Sequence, residues 1–376
     1  MRSRDPYLLT PGPLTTSATV KAAMQRDWGS RDRGFIAMNK DLRTRLVVLA
    51  GAEETHVCVP LQGSGTFTVE AVIGTLLPRD GKLLVLVNGA YGQRMVEMAL
   101  VMGRRVDVAE WPEDETVDPE EVERRLSGDP SITHVAVVHC ETTSGILNPI
   151  SAVAQVVAAH GLELIIDSMS AFGALPLDAR ETPFGAVAAS ANKCLEGVPG
   201  MGFALIERGL LEHSKGNSHS LSLDLYSQWK GFEKNGQWRF TPPTHVVAAF
   251  LQALDEHAAE GGVAGRGARY ARNHQVLVDG MEALGFRCLL GKQVQAPIIV
   301  TFLTPADPHF EFVDFYQRLS ARGFVIYPGK LTVADSFRIG CIGRLGEAEV
   351  RGALAAISAV LDEMGVTDRA PAKSFA

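Results

Sequence analysis

Hydrophobic and polar positions follow two different rhythms along this chain. Over the first two thirds, short apolar runs occur at 56–60, 83–87, 105–109, 134–138, 162–166, 186–189 and 202–206. Longer amphipathic stretches, such as 66–77, 94–102, 119–126 and 150–160, lie between them. Short β-rich runs suit buried strands, and stretches with helical spacing suit the crossovers that join parallel neighbours. The pattern predicts an α/β fold: a large domain with a mainly parallel seven-stranded sheet flanked by helices. Gly and Pro punctuate the junctions.

From Thr244 the rhythm changes. A helical run to about 284 leads into candidate strands at 286–290 and 297–303, a helix at 310–322, short strands at 324–327 and 337–341, and a closing helix at 347–364. This predicts a smaller C-terminal α+β domain. The expected division is 15–265 for the large domain and 266–376 together with 1–14 for the small one. No internal repeat is visible, and the tail at 367–376 reads as frayed.

Bulk properties narrow the function. A chain of 376 residues with 46% hydrophobic and 21% charged residues has the composition of an ordinary globular enzyme, large enough for more than one core. The net charge of -7 and the scattered Lys and Arg residues leave no basic footprint for nucleic acid. Met1 to Tyr7 carry no apolar signal run, and no segment reaches ~18 uninterrupted apolar residues, so no membrane partner and a cytoplasmic location are expected. Cys58, Cys140, Cys194, Cys288 and Cys341 are odd in number, with no C-x-x-C pair; they read as reduced thiols, and no metal site is expected. Cys194, directly after Lys193, reads as a small buried thiol.

Three local features carry chemistry. Gln62-Gly63-Ser64-Gly65-Thr66-Phe67 follows a strand and opens a helix, which suits either a plain turn or a phosphate held on free backbone N–H groups. It lacks the third glycine of a dinucleotide fingerprint and the lysine of a P-loop. Asp167 ends the apolar run at 162–166, where ligands of open parallel sheets collect. A carboxylate there serves either as a helix cap or as the partner of a protonated pyridine nitrogen. Lys193 lies beyond a further strand, among Ala189-Ser190-Ala191-Asn192 and Cys194; small apolar neighbours depress an ammonium and leave a neutral amine able to form an imine. A surface lysine is the ordinary alternative, but cradle, Asp and Lys in this order suit a pyridoxal phosphate (PLP) site.

Further segments stand in order around these three: Leu8-Leu9-Thr10-Pro11-Gly12-Pro13-Leu14-Thr15, Asn88-Gly89-Ala90-Tyr91-Gly92, His139-Cys140-Glu141-Thr142-Thr143-Ser144-Gly145, Thr241-Pro242-Pro243-Thr244-His245, Tyr327-Pro328-Gly329-Lys330 and Phe337-Arg338-Ile339-Gly340. With them the chain resembles the class V aminotransferases of the type I PLP fold over nearly its whole length. The resemblance implies that Lys193 carries PLP and that Ser64, Gly65 and Thr66 bind its phosphate, with Asn192 a further donor. It implies that Tyr91 stacks on the pyridine, Thr142 donates near O3′ and Asp167 pairs with the ring nitrogen. Thr241 matches a residue reaching the phosphate of a partner subunit, implying a homodimer with shared sites. Arg338 matches the arginine that grips the substrate anion, and Pro11 and Gly12 border the substrate pocket. A structural salt bridge from Arg338 to an Asp or Glu is the alternative.

The implied reaction is ping-pong amino transfer from 2-aminoethylphosphonate to pyruvate, giving phosphonoacetaldehyde and alanine in phosphonate degradation. Alanine-glyoxylate or serine-pyruvate amino transfer, and elimination on a related aminophosphonate, are the neighbouring readings. Cysteine desulfuration is disfavoured because Tyr91 stands where that family usually has His. A PLP-binding carrier without turnover leaves Lys193 and Arg338 without a purpose.

Overall fold

The computed structural model describes residues 5–331 and 334–371. All seven apolar runs of the first two thirds are strands of one sheet. Its order is His56–Gly63, Gly200–Glu207, Ala186–Ser190, Glu163–Asp167, His134–Val138, Lys82–Val87 and Arg105–Glu110. Gly200–Glu207 runs antiparallel to both neighbours, and the remaining pairings are parallel. Alternate residues feed two cores. Leu84, Leu86, Val135, Val137, Leu164 and Ile166 enter one, while Leu83, Val85, Ala136, Val138 and Ile165 enter the other. A strand that must be apolar on both faces reads as a continuous apolar run, which is why these strands stand out in the sequence.

The helices Arg33–Leu49 and Leu225–Asn235 have no counterpart among the amphipathic stretches read from the sequence. Each has a side-chain cap: Asp32 accepts from the Gly34 amide at 2.7 Å, and Asp224 from the Ser227 amide at 3.0 Å. In the first, Lys40, Asp41, Arg43 and Arg45 interrupt a buried stripe of Phe35, Leu42 and Leu46 and blur the pattern.

The helical run from Thr244 is two helices, Thr244–Ala259 and Gly262–Ala283, broken at Gly261, where φ is +99°. The expected strand at 286–290 does not form; Cys288 makes only an isolated bridge to Phe302. Ile299–Leu303, Ser336–Gly340 and Tyr327–Pro328 build a three-stranded antiparallel sheet. The expected strand at 324–327 is divided, because Phe324–Val325 pairs instead with Tyr7–Leu8 near the N-terminus. Phe302, Phe315, Phe337, Ile339 and Ile357 fill the core of this smaller domain, closed by the helix Glu347–Met364.

The tail is tied rather than frayed as far as Pro371. Asp307 Oδ2 accepts from the amides of Thr367 and Asp368 at 2.8 and 3.0 Å, and the Ala306 amide donates to the Ala370 carbonyl at 2.8 Å. The rest of that expectation, at 372–376, and the first four residues lie outside the described residues. Among the described residues, no helix is long and apolar enough to cross a membrane.

Candidate active site

Strand ends of the large sheet converge on a cavity of about 240 Å³, lined by Gly12, Ser64, Gly65, Thr66, Tyr91, Thr142, Asp167, Asn192 and Lys193 among others. The turn from His56–Gly63 into Gly65–Leu76 passes through Gly63, at φ +120°. Ser64 stands at the helix N-cap without a side-chain capping bond, so the first amides and the positive end of the dipole are left to an incoming anion. A Cβ at position 65 would lie 2.5 Å from Met169 Sδ, so a larger residue there would require Met169 to shift.

Asp167 closes its strand in the cavity wall and is 7% exposed. Its Oδ1 accepts from the Met169 amide at 3.0 Å, and it forms no ion pair among the described residues. Burial pushes the carboxyl up to about 6, with Glu141 adding to the effect. Lys193 and Arg94 pull it down only in part and neither pairs with it, so a protonated ring nitrogen would supply the missing partner.

Lys193 follows the strand Ala186–Ser190 and donates from Nζ to the Pro11 carbonyl at 2.5 Å. Burial holds its ammonium below the ordinary lysine value, against the pull of Tyr91, Cys194 and Asp167. Gly12 has φ +122°, and a Cβ there would sit 2.6 Å from Lys193 Nζ. The Pro11–Gly12 segment thus covers the lysine closely, and only glycine permits it. Cys194 is buried, donates to the Ser170 carbonyl at 3.2 Å, and is pushed up to about 12 by burial, an inert thiol.

Glu141, absent from the sequence-derived set, organises the opposite wall. It is fully buried; Oε1 accepts from the Thr143 amide and hydroxyl at 3.0 and 2.7 Å, and Oε2 from the amides of Tyr91 and Gly92 at 3.0 and 3.3 Å. The helix Ala90–Val101 begins at Gly89, which has no cap of its own, so Glu141 does that work from a distant loop and sets the position of Tyr91. Burial alone would raise the Tyr91 phenol, but the Thr142 hydroxyl and the charges of Lys330 and Lys193 hold it below its ordinary value. Arg94 and Lys330 also went unread: the Arg94 guanidinium lies 4.9 Å and Lys330 Nζ 4.5 Å from the Tyr91 ring centroid. The only sequence trace of Glu141 is an acidic residue beside an apolar strand end, which single residues cannot distinguish from a surface turn.

Arg338 is 4% exposed on Ser336–Gly340. Nη1 donates to the Thr142 carbonyl at 2.7 Å and Nε to the Pro328 carbonyl at 3.1 Å, and among the described residues no carboxylate pairs with it. The alternative of a structural salt bridge is therefore not what the fold contains. Thr241 is exposed and does not line the cavity of Lys193; it borders two others, one with Arg31, Arg239 and Pro242 and one with Leu61, Gln62 and Phe67 beside the phosphate turn. Arg31 and its neighbours border the first of these beside Thr241, and His245 Nε2 lies 3.2 Å from Asp27 Oδ1, joining the 27–32 and 241–245 stretches.

The family model described as aminotransferase class-V matches residues 16–333. A 2-aminoethylphosphonate--pyruvate transaminase of Burkholderia lata is 58% identical over 96% of this chain and 96% of its own length. One from Pseudomonas fluorescens is 55% identical over 98% of this chain and all of its own. Among solved structures, ureidoglycine-glyoxylate aminotransferase from Bacillus subtilis superposes with a TM-score of 0.90 at 21% identity, covering 98% of this chain and 96% of its own. Pyridoxamine-pyruvate aminotransferase from Mesorhizobium loti gives 0.88 at 24%, covering 98% and 95%. At those identities the superpositions establish the fold.

Proposed function

Because the chain belongs to the class V aminotransferases, we propose that it transfers the amino group of 2-aminoethylphosphonate to pyruvate, giving phosphonoacetaldehyde and alanine. The observation that carries the chemistry is the convergence of an uncapped helix N-terminus, a buried carboxylate without an ion pair and a desolvated lysine on one cavity. Those donors fit pyridoxal phosphate, which when bound supplies an electron sink for the substrate carbon that loses its proton.

The chain's own residues divide the remaining work. Ser64, Gly65 and Thr66 hold the phosphate, with Asn192 beside them. With the cofactor bound, Asp167 would keep a proton on the ring nitrogen, Tyr91 would pack against the ring and Thr142 would donate to its oxygen. Lys193 Nζ would hold the cofactor and, as a free amine, would move the proton off the amino-bearing carbon of the substrate. Arg338 grips the anionic end of each substrate, with Nη1 and Nε braced on backbone carbonyls. Pro11 and Gly12 roof the lysine. Exposure of Thr241 outside the cavity of its own Lys193 supports a homodimer in which it reaches the partner's phosphate site. A cytoplasmic location and the division into 15–265 and 266–376 with 1–14 belong to the same reading.

Purified protein supplied with 2-aminoethylphosphonate and pyruvate is expected to yield alanine and phosphonoacetaldehyde in equal amounts. Formation of alanine only with glyoxylate-linked donors would favour the alanine-glyoxylate reading, and ammonia release without alanine would mean elimination.

A further inference from the structure

We propose that Lys330 is a specificity-determining cation, which joins Arg338 on the doubly charged phosphonate of the donor, while the singly charged carboxylate of the acceptor is met by Arg338 alone. The proposal rests on the donor assignment above. A carboxylate carries one negative charge. Phosphorus oxyacids reach a second ionisation near neutrality, with a pKa of about 6 for a phosphate ester. One guanidinium balances the first anion and leaves the second with an uncompensated charge at a poorly solvated site, an unfavourable arrangement.

Among the described residues, the cations that line this cavity are Lys193 and Arg94. Lys193 is committed to the cofactor, and Arg94 leans toward the phosphate turn, its Nη1 lying 3.4 Å from Thr66 Oγ1. Lys330 and Arg338 stand just outside that lining and reach it through Tyr91 and Thr142, which belong to it. In the antiparallel ladder Tyr327 stands opposite Arg338, and the Pro328 carbonyl receives Arg338 Nε, so Lys330 follows two residues after a direct contact of the clamp. Its Nζ lies 4.5 Å from the centroid of the Tyr91 ring, a wall of the cavity. Among the described residues no carboxylate forms an ion pair with it, and its side chain is exposed. An ammonium resting on an aromatic face rather than in an ion pair is free to turn toward an incoming anion.

The test uses the cofactor-loaded enzyme and its Lys330→Met and Lys330→Arg variants. Single-turnover bleaching of the cofactor band is followed with 2-aminoethylphosphonate and, separately, with alanine, the carboxylate-bearing amine of the reverse half-reaction. In Lys330→Met, the ratio of apparent affinities for the phosphonate amine over alanine is expected to fall about tenfold, and Lys330→Arg to restore most of it. Calorimetric binding of ethylphosphonate against propionate should move the same way, and the effect should shrink as pH falls below the second phosphonate ionisation. A ratio within about twofold of the parent, or an equal loss for both amines, overturns the proposal. A parent enzyme bleached by alanine but not by 2-aminoethylphosphonate overturns the donor assignment itself, and this proposal with it.

Discussion

The two anion sites of the proposed reading work by different physical means. At the large-sheet end, backbone amides of a helix start and a buried strand-end carboxylate do the work, all placed by regular secondary structure. At the small-domain end, a buried guanidinium on an antiparallel strand is braced by two carbonyls, one from its own sheet and one from the Thr142 loop of the large domain. The first, built from backbone, suits a resident group. The second is assembled from two domains, with long side chains, and suits ligands that come and go.

The largest expected effect sharpens the first end: Lys193→Ala should lower turnover by at least about 10⁴-fold, since both covalent attachment and proton transfer are lost. Borohydride reduction followed by peptide mapping should find the parent's cofactor on Lys193, and an adduct on another lysine would dissolve the assignment.

Arg338→Lys should separate the two ends. It keeps charge but loses the planar fork, so apparent affinity for both substrates should weaken by roughly 1–3 kcal/mol while cofactor absorbance stays. Loss of cofactor with substrate affinity intact would mean that the ends are not independent.

Asp167 offers a pH test without turnover. In the cofactor-free protein its folded value is raised from 3.8 to about 6, so the folded state binds its proton more tightly than the unfolded chain. Stability from this group is then present below about 3.8 and lost as pH rises toward about 6, by at most roughly 3 kcal/mol. Thermal melts of the cofactor-free protein should show this loss relative to Asp167→Asn, and bound cofactor should remove it. Parallel melting curves would mean that the carboxyl is solvated.

The smallest effect is expected at Cys194→Ala, with turnover within about threefold and stability lower by roughly 1 kcal/mol, from the lost contact to the Ser170 carbonyl. A collapse of activity with the cofactor still bound would give the thiol a chemical part that its burial argues against.

Legibility in the sequence followed the same contrast. The doubly buried strands, the glycine turn and the strand-end positions of Asp167 and Lys193 are local consequences of apolar runs and their punctuation, so they could be read without coordinates. The helix Arg33–Leu49 was not, because charged residues interrupt its stripe. Nor was the division of 324–327, because Tyr7–Leu8 competes for it from the other end of the chain.

What the sequence alone determined is the order of elements, the α/β class and the identity of the groups at the sheet edge, since each depends on near neighbours. Only the tertiary structure decided that Glu141 caps a helix 50 and 49 residues earlier, through the amides of Tyr91 and Gly92, that Arg338 rests on carbonyls instead of a carboxylate, and that Lys330 reaches Tyr91. Those contacts join residues far apart in the chain. Their energies arise from burial and charge at a meeting of two domains, which no local pattern of residues encodes.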